Sequence, residues 1–337
     1  MGRHSCREAT SDDIAKVYDL LNEYVIEQEL EDEFMNSKPA FSEHYKRGLF
    51  TPIIAEVTND GENEKDIIGC AFISFPFNYV IGITGFIHCC YLKPSYRDLG
   101  LQQMLLKLAT KVSIEKGSHG LLAAVCGRDY IFNSAFESEG ATNLNTSMAK
   151  GAGSDFWIMP NPSATPEFLS DDYVIREGAV QDSEGVYDLC QELVKLENIE
   201  DIRTPSFTKE EFIRKGGGDS PLYGTVVLEH QRRIGDNESD VIHDIVGCIL
   251  YTKMYHALKG DTYWLQGLYI CPEHKGKGLG KPLVRASLEV CKKRHGDGFI
   301  FIILRNNHIS QSLFKSLQGV NMTKSKHNMQ SYLLLYM

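Results

Sequence analysis

The chain has 337 residues, 42% of them hydrophobic, and its 35 Lys and Arg against 45 Asp and Glu leave a net charge of -10. That length supports two domains with separate cores and excludes a small disulfide-stapled fold. The acidic balance argues against a nucleic-acid partner, which needs a basic face, and no apolar run reaches the roughly 18 residues of a membrane span.

Nine cysteines, of which only Cys89 and Cys90 adjoin, form no Cys-x-x-Cys pair or His/Cys cluster. Reduced, mostly buried thiols and no metal site are expected. The start, Met1 to Cys6, lacks an apolar signal core and has Cys6 where a myristoylation motif needs Ser or Thr, so a cytoplasmic protein is expected.

In chain order, a first strand leads to an amphipathic helix with Ile14, Val17, Leu20 and Leu21 on one face. Glu29, Glu31, Asp32 and Glu33 follow, ordinarily a solvated face, alternatively a substrate-recruiting one. Antiparallel strands come next, one of them holding His88, Cys89 and Cys90, then Arg97-Asp98-Leu99-Gly100-Leu101-Gln102, a helix, and the apolar strand Leu121 to Cys126. A short helix with Phe136 and a strand at Phe156-Trp157-Ile158 end this half, before the linker composition of Pro160, Pro162, Ser163 and Pro166.

The pattern then starts again. Val17-Tyr18-Asp19-Leu20 recurs as Val186-Tyr187-Asp188-Leu189 at an offset of 169, which also pairs Glu31-Asp32 with Glu200-Asp201. Asp66-Ile67-Ile68-Gly69-Cys70 recurs as Asp244-Ile245-Val246-Gly247-Cys248 at 178, an offset that also relates Arg97 to Lys275, Gly100 to Gly278 and Phe136 to Phe314. The growth in offset puts nine extra residues in a variable loop of the second copy. So long a period is a domain duplication, not a solenoid. The expected architecture is α+β: domains at 1–160 and 172–337 joined by a linker at 161–171, each a mixed, mostly antiparallel sheet flanked by helices and closed by a last strand, the second by Tyr332 to Tyr336.

The second copy carries the most informative segment, Lys275-Gly276-Lys277-Gly278-Leu279-Gly280-Lys281, between an aromatic-rich strand and a helix with Pro282 in its first turn. Alternating glycines let a ligand approach the backbone, and the free amides of a helix start beside two lysines favour a di-anion, so the segment reads as a pyrophosphate cradle. A Walker A loop is excluded because Lys275 stands where its first glycine belongs and Pro282 replaces the hydroxyl; the Gly-x-Gly-x-Gly spacing also misses the dinucleotide fingerprint.

These residues resemble the acetyl-CoA loop of the GCN5-related N-acetyltransferases (GNAT), Arg/Gln-x-x-Gly-x-Gly/Ala, with Lys275 first and Gly278 and Gly280 matching. The resemblance implies that the loop amides from Gly276 through Lys281, including Lys277 and Leu279, hold the pyrophosphate. It also implies that a bulge ending the preceding strand, at Ile270 and Cys271, pairs with the pantetheine arm. Tyr173 to Glu177, Leu196-Glu197-Asn198, Thr208 to Glu211 and Gly216 to Tyr223 further resemble the diamine acetyltransferases, over roughly residues 172 to 320. That likeness assigns Asn307 and Ser310 to CoA contacts and acetyl-CoA as cosubstrate.

Three departures bear on mechanism. The family's tyrosine acid is Phe314 here, and Phe136 in the first copy; its paired acidic residues on the strand before the loop are Gln266 and Gly267, which argues against a polyamine acceptor. The first copy has His88 at the base position, but its loop keeps one arginine and one glycine, with Asp98 repelling a phosphate. His88 is therefore either a base or a satisfied core histidine, and Gln266 orients water or an amide without acting as a base. The expected activity is acetyl transfer to a small primary amine, with the cofactor on the C-terminal domain and the two domains able to pack as an intramolecular pseudo-dimer. The alternative is an impaired enzyme serving as a CoA-binding or interaction module.

Overall fold

The computed structural model describes residues 3–58, 65–97, 99–146, 153–160, 170–199, 208–233 and 241–335. Asp98, most of the linker (161–169), Glu200, Asp201 and Tyr336 lie outside them.

The first half contains β1 (Arg3–Glu8), α1 (Ile14–Glu27), α2 (Lys38–Lys46), β2 (Thr51–Thr58), β3 (Lys65–Ser74), β4 (Phe77–Asn78), β5 (Gly82–Leu92), α3 (Leu101–Glu115), β6 (Gly120–Val125), α4 (Tyr130–Ser138), β7 (Thr142–Asn143) and β8 (Ser154–Pro160). The second repeats the order: β9 (Tyr173–Glu177), α5 (Ser183–Glu197), α6 (Lys209–Gly216), β10 (Gly224–Arg233), β11 (Val241–His256), β12 (Gly260–Ile270), α7 (Gly280–Lys293), β13 (Gly298–Leu304), α8 (His308–Ser316), β14 (Val320–Asn321) and β15 (Gln330–Leu335). The stretch after each first helix, read from sequence only as charged, includes helices α2 and α6.

Both sheets are antiparallel except where α3 and α7 connect the parallel pairs β5/β6 and β12/β13. A parallel pair needs a crossover connection, and here each is a helix packed on the sheet. The duplication extends to side chains. Arg7 bridges Asp13 and Glu56, and Arg176 bridges Asp182 and Glu229; Tyr91 donates to Glu23 as Tyr269 does to Glu192.

One expectation is corrected. Neither half closes its sheet with its own last strand: β15 lies between β6 and β7 in the first sheet, while β8 lies between β13 and β14 in the second. The crossing is held by Asn145, fully buried, whose amide donates to the carbonyls of Ser154 and Met329 and accepts from the Ser331 N–H. Strand sequence specifies burial and alternation but not which of two near-identical sheet edges is taken.

A second exchange is aromatic. Phe77 of the first half stacks on Tyr223 and meets Phe212 in the second; its counterpart Tyr255 stacks on Phe50 and meets Phe41 in the first. One apolar core thus runs through both halves, joining Tyr79 and Leu122 to Val186 and Trp264. All nine cysteines are free thiols, seven of them buried, and among the described residues no helix is long and apolar enough to cross a membrane.

Candidate active site

Strands β12 and β13 pair only from Thr262–Trp264 against Gly298–Ile300, then diverge. Across β12's other edge, Leu250 faces Gly267 and Tyr251 faces Leu265, so Gln266 is the extra residue of a bulge. A bulge sharpens local twist and helps part the strands. Its position differs from the one expected: Ile270 stays in register with Gly247, and the Cys271 N–H donates to the Val246 carbonyl. The resulting cleft is lined by Leu193, Gln266, Phe301, Asn307, Ser310 and Phe314 among others.

At the end of β12 the glycine loop turns into α7. Gly276 and Gly278 have φ of 79° and 76°, the left-handed region that a side chain disfavours. A Cβ on either would meet nothing within 4 Å, so the loop presents an open backbone surface. No well-formed hydrogen bond among the described residues takes up the main-chain N–H of Gly276, Gly278 or Leu279. Beside them Lys277 donates to the Tyr173 hydroxyl at 2.9 Å, which also bonds His274 Nδ1 at 2.8 Å, and Lys275 lies over the Tyr269 ring. Desolvation, then the neighbouring Lys277 and His230, lower the His274 pKa. Unspent N–H donors at the start of a 14-residue helix, with two lysines adjacent, fit a diphosphate by charge and by geometry.

The other expected residues sort themselves by position. Asn307 caps α8, its Oδ1 accepting from the Ser310 N–H at 3.0 Å, and both line the cleft. Phe314 stacks on Phe301 at 4.1 Å and brings no proton. The Gln266 carboxamide is fully engaged: it accepts from the Tyr79 N–H and donates to the Phe77 carbonyl and to Thr252 Oγ1.

The sequence reading missed Glu197 as a site residue. It ends α5, just before Asn198 in the left-handed conformation, and lines both the cleft and a recess on the far side of Gln266, between the two halves. Burial lifts its carboxyl to about 7. Its counterpart at the offset of 169 is Gln28. A carboxylate present in one copy only was the available signal.

The first half's equivalent cleft is filled. Tyr24, counterpart of Leu193, is buried, with its phenol in electrostatic reach of Cys89 and Cys90 on β5 and of Cys126 and Asp129 beyond β6; burial drives its pKa well up. Phe132 stands where Ser310 does, also buried, and burial raises Asp129, the counterpart of Asn307, to about 6. Arg97 is committed to the Leu92 carbonyl and to Glu27. His88 occupies the equivalent bulge but is buried, 2.6 Å from Ser74 Oγ and stacked on Phe86, with its pKa driven well down by desolvation. It has the surroundings of a core histidine and lies apart from the recess beside Gln266.

A family model described as Acetyltransferase (GNAT) family matches residues 14–129 and 196–320. The chain belongs to that family, in tandem. The thialysine N-epsilon-acetyltransferase of Bos taurus is 27% identical over 154 residues, covering 45% of this chain and 87% of that protein. The Mus musculus protein of the same name is 24% identical over 152 residues, covering 45% and 86%. Among solved structures, a GCN5-related N-acetyltransferase from Sphaerobacter thermophilus aligns at TM-score 0.57 and 13% identity over 98% of this chain and 95% of that one. A tandem GNAT protein from the clavulanic acid biosynthesis pathway aligns at 0.50 and 12% over 99% and 98%. At such identities these two structures speak to the fold alone.

Proposed function

We propose that this protein transfers the acetyl group of acetyl-CoA to a small primary amine, and that its C-terminal half holds the cofactor. The observation that carries this reading is the set of unspent main-chain N–H groups at Gly276, Gly278 and Leu279, next to the parting of β12 and β13. The amides from Gly276 to Lys281 would hold the diphosphate, the free edge of β12 past Trp264 would take the pantetheine arm, and Asn307 and Ser310 would flank it. Bound acetyl-CoA supplies the acetyl thioester.

The chain's own residues do the rest. An amine reaches the site protonated and without a free lone pair. Glu197, with its carboxyl near 7 and a place in both cleft and recess, can take that proton at neutral pH. Gln266, held by three hydrogen bonds, fixes the shape of the passage and moves no proton. Phe314 cannot serve as the acid, so the proton for the departing sulfur returns from Glu197 or from solvent. The N-terminal half, its own cleft filled by Tyr24, acts as a wall of the acceptor side, and the exchanged strands make the molecule an intramolecular pseudo-dimer.

The names of the bovine and murine relatives support an amine acceptor. A second reading, CoA binding without transfer, is favoured by Phe136 and Phe314 at the tyrosine positions. Release of free thiol from acetyl-CoA across an amine panel separates the two: turnover above the blank is expected, while CoA binding with no thiol released for any amine would establish the second reading.

A further inference from the structure

We propose that the acceptor is an amine bearing one apolar group, aliphatic or aromatic, and no second charge, and that the N-terminal half selects it. This rests on the transferase reading above. The recess beyond Gln266 is walled by Tyr79, Val80 and Ile81 from the turn before β5, by Leu122 of β6, and by Trp264 and Ile302 from the second half. Two of its polar side chains are already committed. Asn78 Oδ1 accepts from the N–H groups of Val80 and Ile81 at 2.8 and 3.1 Å, and Gln266 is bonded as described. Glu197 is the one carboxylate among the described lining residues and has no hydrogen-bond or ion-pair partner among them.

One negative charge at the junction with the cleft, facing apolar walls, suits a ligand with one ammonium and an apolar body. The ammonium pairs with Glu197 and, in giving up its proton there, becomes the nucleophile; the body fills the recess and gains by leaving water. A diamine or polyamine would carry a second ammonium among Val80, Leu122 and Trp264, where it is stripped of water and has no partner. Because Tyr79 to Ile81 and Leu122 come from the first half, selection acts across the two halves.

The test is calorimetric titration of the full chain with CoA present, using phenethylamine, 1,4-diaminobutane and spermidine as probes. Phenethylamine is expected to bind at least about tenfold tighter than either polyamine. Val80→Asp, which adds a second carboxylate, should erase that margin; Val80→Ala, a milder change, should weaken phenethylamine severalfold and leave the diamine unmoved. Equal or tighter binding of the polyamines, or no binding of any probe, would overturn the proposal. Thiol release from acetyl-CoA is read in parallel: selective binding without release would end the transferase reading and uphold the selectivity, while fastest release with a polyamine would uphold the transferase and end this inference.

Discussion

Two clefts of one plan differ in what occupies the gap between their parting strands. Between β12 and β13 the helix contributes Leu193 and the strand the bulky Phe301 and Ile302, leaving a passage; between β5 and β6 the strand carries Ala123 and Ala124, and the helix contributes Tyr24, which closes it. Volume has moved from strand to helix. A duplicated fold can therefore keep its sheet order, its bulge and even its ion triads while its cleft is closed by a few side chains, Tyr24 and Phe132 foremost.

That contrast is open to attack at four points. The largest expected effect is at the catalytic end: Glu197→Gln should lower kcat/KM by about 10³-fold with CoA affinity nearly unchanged. If the ionised carboxylate accepts the proton as proposed, the wild-type rate should climb with pH through about 7, and that limb should vanish in the variant. Next, Gly278→Val puts a β-branched residue at φ 76° on the open face of the loop and should weaken CoA by about 100-fold, read by calorimetry. The matching change in the first half, Tyr24→Leu, should instead appear as stability: a loss of about 2 kcal/mol in denaturant unfolding and no added CoA site. Smallest is Phe314→Tyr, which supplies the missing acid and should raise kcat less than about tenfold.

Much of this was legible in the residues. The repeat at 169 and 178 gave two like domains, and the glycine loop with Asn307 marked the half that kept its cleft. The filling of the other cleft was half legible: Arg97 to Gln102 looked poor, but closure also involves Tyr24, more than 60 residues earlier, and Phe132, brought there by packing. Glu197 was read only as part of a family-like stretch, because a carboxylate at a helix end is ordinarily solvated; here it lies where the cleft meets the recess between the halves. The exchange of β8 and β15 could not be read at all, since both strands satisfy the same apolar pattern on either sheet.

The most direct test of the asymmetry is the stoichiometry of CoA binding to the full chain by calorimetry. The account predicts one molecule per chain, lost in Gly278→Val and unaffected by Tyr24→Leu. Two sites of similar affinity, or a single site untouched by Gly278→Val, would contradict it.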